Sequence, residues 1–211
     1  MFPSSLPIFP LPTVVLFPNV FLPLHIFEPR YRQMIADALS GDRIIGMVLL
    51  KPGYENAYEG RPPIYLTGCS GLITYVERMD DGRYNLVLRG LEKFIVHGEE
   101  DPVVGTQYRR ALVTTVDEMV PGGERDELKS ERQKLEALLT PLFDGALAEH
   151  RLPQNMPDED LVNALAQYLE FDPLEKLALL ERKGPLARCR SMVELLEMKA
   201  LMKDGDAGRV H

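Results

Sequence analysis

Four histidines, two cysteines and several short carboxylate runs are the side chains here that could do chemistry, and spacing decides among them. His25, His97, His150 and His211 are scattered, none three or four residues from another His or Cys, so zinc spacings do not occur. No metal and no cofactor are expected. Cys69 lies in Gly68-Cys69-Ser70-Gly71, superficially like a nucleophile set between glycines. A nucleophilic cysteine needs a thiolate held by an imidazolium or a helix N-terminus. This tetrapeptide falls instead inside an expected strand, where glycine marks a bulge or a close backbone approach. Cys189 sits on the apolar stripe of an expected helix and reads as core. The serine signatures G-x-S-x-G and S-x-x-K are absent, as are both glycine-rich phosphate loops. Asp80-Asp81, Glu99-Glu100-Asp101 and Asp158-Glu159-Asp160 fall in expected turns or at a helix start, where carboxylates shape turns or complement the helix dipole. No catalytic residue is expected. The basic stretches Tyr108-Arg109-Arg110 and Arg188–Arg190 are short, and the chain carries a net charge of -8, which opposes nucleic-acid and anionic-membrane binding. What remains is a long connection, Lys51–Pro63, bearing Tyr54 and Tyr58. Long loops with aromatics often bind partners. The two tyrosines are candidate peptide contacts; the alternative packs them beneath the loop.

The elements that would carry this loop divide the chain in two. Residues 1–116 have a net charge of -1 and are rich in Val, Ile, Tyr, Gly and Pro; residues 117–211 have a net of -7 and are rich in Leu, Ala, Glu, Lys and Met. Those are strand-type and helix-type compositions. The breakers in Asp117–Gly123 mark the boundary, giving a β-rich domain 1–117 and a helical domain 118–211. Seven prolines within the first 29 positions should restrict that segment to short edge strands and turns. One helix follows, opened by Pro29, striped by Tyr31, Met34, Ile35, Ala38 and Leu39, and stopped by Gly41. Strands are expected at Arg43–Lys51, Tyr65–Met79, Tyr84–Arg89, Lys93–His97 and Tyr108–Val116, with a hairpin at Asp80-Asp81-Gly82. Many short strands and one helix suggest a small, partly closed barrel.

In the second half Leu128, Leu135, Leu138, Leu142 and Ala146 line a helix that Pro141 should kink. Leu161, Leu165, Tyr168 and Leu169 mark a second. The third has Asp172 to cap it, Pro173 at its first position, Glu175 completing a capping box, and Lys183-Gly184-Pro185 as its stop. Cys189, Met192, Val193, Leu196 and Ala200 recur at helical spacing in a last helix. The fold class is α+β, a β-rich domain followed by a helical bundle. Two cysteines form no disulfide framework, no apolar run approaches the ~20 residues of a membrane span, and the proline-broken N-terminus is no signal peptide, so a cytoplasmic protein is expected.

Leu6-Pro7-Ile8-Phe9-Pro10-Leu11, Val14–Pro18, Leu22-Pro23-Leu24 and Phe27-Glu28-Pro29-Arg30-Tyr31 together resemble the opening of the Lon protease N-terminal domain. Gly71–Val76, Asp81-Gly82 and Leu86–Val96 are similar to its strand–hairpin–strand segment, and Leu174–Glu181 to the helical part that follows. The resemblance implies a PUA-like, six-stranded β pseudobarrel with one helix and then a helical bundle. It also implies recognition of unfolded or tagged polypeptide. Neither the ATPase nor the protease module of Lon is matched, so the expectation is a stand-alone, non-enzymatic, polypeptide-binding protein, with a separate protease or chaperone as a further partner. A PUA-like module binding RNA or a small molecule is the alternative, and a hydrolase using Cys69 a third. Among the matching residues, Pro12, Pro18, Pro23 and Gly90 read as backbone-shape positions. Phe17, Leu22, Leu24, Phe27 and Tyr31 read as core packing between edge strand and helix. Glu28, Arg30 and Arg89 are expected to form an ion-pair network locking these pieces together.

Overall fold

The structure, a computed structural model, describes residues 2–54, 60–140 and 156–207. Tyr58, His150, His211 and the expected kink at Pro141 lie outside the described residues. The strands are β1 (Ser5–Leu11), β2 (Phe21–Ile26), β3 (Ile44–Leu50), β4 (Ile64–Arg78), β5 (Tyr84–Glu99) and β6 (Arg109–Val116). The helices are α1 (Pro29–Leu39), α2 (Arg125–Leu139), α3 (Asp158–Tyr168), α4 (Pro173–Glu181) and α5 (Gly184–Ala207), with a short 3-10 turn at Gly122–Glu124. None of the described helices is long and apolar enough to cross a membrane.

The chain forms two compact units, and they are not simply its two halves. The first comprises residues 1–117 and 167–181; the second, residues 118–166 and 182–211. A single cut after Asp117 therefore misplaces α4. Its apolar face, Leu177, Leu179 and Leu180, is buried, and the helix packs against β4. Sequence composition places α4 among the helices because composition reports local propensity, whereas burial decides which core a helix joins.

In the first unit the six strands make one mixed sheet in the order β2-β5-β4-β3-β1-β6. β1 runs parallel to β3 and the other pairings are antiparallel. β5 also pairs with β6, so the sequence of pairings β1–β3–β4–β5–β6 returns to β1, while β2 lies outside this cycle on β5. Leu6, Ile8, Val48, Leu50, Ile64, Phe94, Val96, Ala111 and Val113 form its core. β3 is buried along almost its whole length, as the unbroken apolar run Ile44–Leu50 requires. α1 buries Tyr31, Met34, Ile35 and Ala38 of the expected stripe, while Leu39 at its end is only half-buried.

Two strand expectations need correction. β1, with Pro7 and Pro10, is an interior strand and not an edge. Its partners change along its length: β6 accompanies residues 5–8 and β3 accompanies residues 8–11, overlapping only at Ile8. The Val113 N–H donates to the Ser4 carbonyl at 2.9 Å. Alternation then turns the even positions toward β6 and the odd ones toward β3. Pro7 faces β3 before that pairing begins, and Pro10 faces β6 after that pairing ends. Neither proline removes a donor the ladder uses. The segments Tyr84–Arg89 and Lys93–His97 are likewise one strand. Opposite Cys69–Gly71, β5 carries an extra residue, a bulge that Ser70 fills: its hydroxyl donates to the Glu92 carbonyl and accepts from the Glu92 N–H, each at 3.0 Å.

In the second unit α2 packs on α5. Leu128, Leu135, Leu139, Leu161, Val162, Leu186, Cys189 and Met192 are buried there. Arg188, wholly buried, donates to both Glu118 carboxylate oxygens at 2.7 and 3.0 Å and to Asn163 Oδ1. A charge that deeply placed is retained by such partners.

Candidate functional site

β3 delivers the chain to Leu49-Leu50 at one end of the sheet, and the Lys51 N–H closes the connection that follows by donating to the Pro63 carbonyl at 2.9 Å. The returning limb of this loop is clamped to the sheet. Arg109, 9% exposed, donates from Nε to Glu99 Oε2 at 2.8 Å, from Nη2 to Glu99 Oε1, and from Nη1 to the Pro62 carbonyl at 2.8 Å. Arg61, on the loop itself, meets the same Glu99 carboxylate at 2.8 Å and the Glu100 carbonyl at 3.2 Å. The hydrogen bond from Arg109 holds the Glu99 carboxyl below the usual carboxylate range, burial opposes this, and Arg61 adds to it.

Opposite the loop stands the first turn of α4. Glu175 Oε2 accepts the Asp172 N–H at 2.8 Å, the reciprocal half of the expected capping box, and the Lys176 N–H donates to the Asp172 carbonyl at 2.9 Å. Between loop and helix lies an open groove of about 600 Å³. It is lined by Leu49, Leu50, Lys51, Pro52, Tyr54 and Pro62 from β3 and the loop, by Asp172, Pro173, Leu174 and Glu175 from the start of α4, and by Pro12 at the exit of β1. Tyr54 and Leu174 are each 49% exposed. The groove belongs wholly to the first unit.

Tyr54 is thus brought to an apolar groove, and Pro12, expected as a backbone-shape residue, is brought beside it. Asp172 and Leu174 escaped the sequence reading as binding residues. Nothing in the spacing of Leu174 separates it from the buried leucines of the same helix.

The other motif residues gather elsewhere. Pro18 and Asn19 (φ 60°) occupy the centre of a turn closed by the Val20 N–H donating to the Phe17 carbonyl at 3.3 Å. That turn rests on Gly90, which receives the Asn19 N–H on its carbonyl at 2.9 Å and donates to the Val20 carbonyl at 2.8 Å. Phe17 and Tyr31 are buried, and the Tyr31 ring lies 4.3 Å from that of Phe9, with the Arg30 guanidinium over it at 4.5 Å. Phe27 is not core. It is 60% exposed, because the alternation that buries Ile26 turns Phe27 outward, where its ring stacks on His25. Leu22 and Leu24 are only half-buried. The expected network is also divided: Arg30 pairs with Glu28 at 2.9 Å, while Arg89 donates to Asn19 Oδ1 at 3.0 Å. Pro23 sits on β2, the edge strand.

Cys69 is fully buried, its thiol directed at the Ser70 carbonyl at 3.4 Å. A Cβ built on Gly68 would stand 2.5 Å from both the Met47 carbonyl oxygen and the Phe94 ring, so this glycine serves close packing. Burial pushes the Cys189 thiol up to about 12, the opposite of what a nucleophile needs. His25 bonds Asn85 at 2.7 Å and His97 bonds Thr114 at 2.9 Å.

Comparison with known proteins follows the same lines. The family model described as the ATP-dependent protease La (LON) substrate-binding domain matches residues 5–198. Lon protease 2 of Myxococcus xanthus is 29% identical over 210 residues, 93% of this chain and 24% of that protein. The Lon protease of Flavobacterium johnsoniae is 30% identical over 195 residues, 86% of this chain and 22% of that protein. The chain thus spans about a quarter of the length of these relatives. The crystal structure of a Lon N-terminal domain protein from Xanthomonas campestris matches with a TM-score of 0.63 at 24% identity, over 90% of this chain and 98% of that one. The N-terminal domain of a Mycobacterium avium complex Lon protease matches with a TM-score of 0.66 at 17% identity, over 92% and 98%.

Proposed function

From the premise that this chain belongs to the LON substrate-binding domain family, we propose that it is a non-catalytic polypeptide-recognition protein and that the groove between the Lys51–Pro63 loop and α4 holds its clients. The observation that carries this is the groove itself: open and largely apolar, of about 600 Å³, and lined by Tyr54 and Leu174, each about half exposed. Exposed apolar surface arranged as a groove is what a partly unfolded segment can fill. The clamp of Arg109, Glu99 and Arg61 holds Pro62 in place before a client arrives, so less ordering entropy is lost there on binding. The cycle of strand pairings supports reading the sheet as a PUA-like pseudobarrel, and the helices of the second unit as the bundle. A client held here keeps its covalent structure and is available to a separate protease or chaperone.

The test is a fluorescence-anisotropy titration of the full chain with a labelled, permanently unfolded model protein. Saturable binding is expected, and Leu174→Glu should weaken it by about tenfold, ~1.4 kcal/mol. Leu112→Glu, at an exposed position on β6 outside the groove, should leave it unchanged. Absence of saturation at concentrations up to about 100 μM, or equal loss in both variants, overturns the proposal.

A further inference from the structure

Part of the main-chain hydrogen bonding along the groove is already spent. Four of the lining residues are prolines, Pro12, Pro52, Pro62 and Pro173, which have no N–H. The Pro62 carbonyl is taken by Arg109 and the adjacent Pro63 carbonyl by the Lys51 N–H. At the helix start the Asp172 N–H is taken by Glu175 and the Asp172 carbonyl by the Lys176 N–H. Such walls offer a guest no continuous row of unspent donors and acceptors like that of a sheet edge, which is what strand addition needs. Side chains therefore carry the selectivity.

Charge then narrows the side chains. Among the described residues, three ionised groups line the groove, Lys51, Asp172 and Glu175, for a net of -1. The Lys51 ammonium lies over the Tyr65 ring at 5.6 Å, and Glu175 is engaged in capping. The Asp172 carboxylate is exposed and, among the described residues, makes no side-chain hydrogen bond or ion pair.

We infer that the groove selects an extended segment in which a large apolar side chain is followed or preceded by lysine or arginine: the apolar group seats against Leu50, Tyr54 and Leu174, and the cation meets Asp172. This deepens the polypeptide-recognition reading and rests on it. The apolar anchor supplies affinity, and the rim charge supplies preference between otherwise similar segments.

Three labelled peptides with one Leu-Phe core, flanked by arginine, glutamine or glutamate, separate the two readings when titrated into the full chain. Affinity should fall from arginine to glutamine to glutamate, about tenfold from first to last at low salt, and the spread should narrow as salt rises. Asp172→Asn removes the charge and leaves the main-chain N–H that Glu175 accepts in place. It should reduce the arginine-over-glutamine preference to near unity while the glutamine peptide binds as before, with the urea midpoint confirming that the fold is retained. Equal binding of the arginine and glutamate peptides, or a preference that survives Asp172→Asn, overturns the charge inference alone. Failure of the glutamine peptide to bind overturns the recognition reading beneath it.

Discussion

Among the described glycines, Gly90 is the one where an added Cβ would meet another backbone most closely. A Cβ placed on it would stand 2.0 Å from the Phe17 carbonyl oxygen and 3.2 Å from the Pro18 Cα, so any side chain would drive the Phe17–Val20 turn off the sheet. With the turn would go both hydrogen bonds that dock it and the contact of Arg89 with Asn19. Backbone cannot yield as a flexible side-chain end can, so Gly90→Ala should destabilise by about 2–3 kcal/mol. The check is urea unfolding: the midpoint should fall at an unchanged slope, the sign of altered stability rather than altered compactness. Gly98, on the same strand with open space where its Cβ would be, is the comparison, and Gly98→Ala should shift stability by less than about 0.5 kcal/mol. Equal effects at the two positions would refute the close-approach account. Pro18, Arg89 and Gly90 thus meet as a turn and its seat.

At the scale of elements, β2 is the exposed margin of the sheet, and Pro23 guards it. The Gly90 N–H bonds the Val20 carbonyl, which sets the even positions of β2 toward β5 and the odd positions toward solvent. The Phe21 carbonyl, on that outward side, is covered by the Tyr168 hydroxyl at 2.6 Å, and Pro23, next on the same side, has no N–H to offer. An edge with its first acceptor covered and its next donor deleted is a poor template for another strand. Pro23→Val restores the donor and should raise the weight-average mass in sedimentation as concentration increases; a mass equal to that of the unsubstituted chain at every concentration would sink the idea. This element also shows where sequence reasoning reaches. β3, α1, the Asp80-Asp81-Gly82 hairpin and the start of α4 at Pro173 are legible because each follows from local pattern: an apolar run, a helical stripe, a turn residue, a proline at the first helical position; of the expected capping box the Glu175 half forms and the Asp172 side-chain half does not. β1 was misread as an edge because proline content says nothing of partners that change halfway along a strand. The single β5 was missed because Ser70, distant in sequence, fills its bulge. Phe27 was misplaced because one residue of alternation separates it from the buried Ile26. Of the groove, Tyr54 was visible as an aromatic in a long loop, whereas Asp172 and Leu174 were not, since a tertiary approach of α4 to that loop leaves no trace in either segment.

At the scale of the molecule, the exchange of α4 into the strand-rich unit has a consequence for any attempt to isolate that unit. A fragment ending at Asp117 would carry all six strands and α1, the complete β-rich half by composition. It would lack residues 167–181, which belong to the same compact unit. From this segment Gln167 Oε1 accepts the buried Phe17 N–H at 3.2 Å, and the face of α4 bearing Leu177 and Leu180 is buried, with α4 packed on β4. Removing the segment takes away the Gln167 hydrogen bond to this buried N–H, at about 1 kcal/mol, and exposes apolar sheet surface at about 25 cal/mol for each Å². Against a typical domain stability of about 5–15 kcal/mol, losses of this kind are a large fraction of the whole. The fragment 1–117 should therefore bind a hydrophobic dye and melt without a cooperative transition, while the full chain melts cooperatively. Supplying residues 167–181 as a separate peptide should restore part of the transition, because the missing piece completes a core rather than lengthening a linker. A fragment 1–117 that unfolds as sharply as the full chain, at a similar temperature, would show that α4 is merely docked on a sheet that is already whole, and the groove that α4 walls would then be an accessory of the fold instead of part of it.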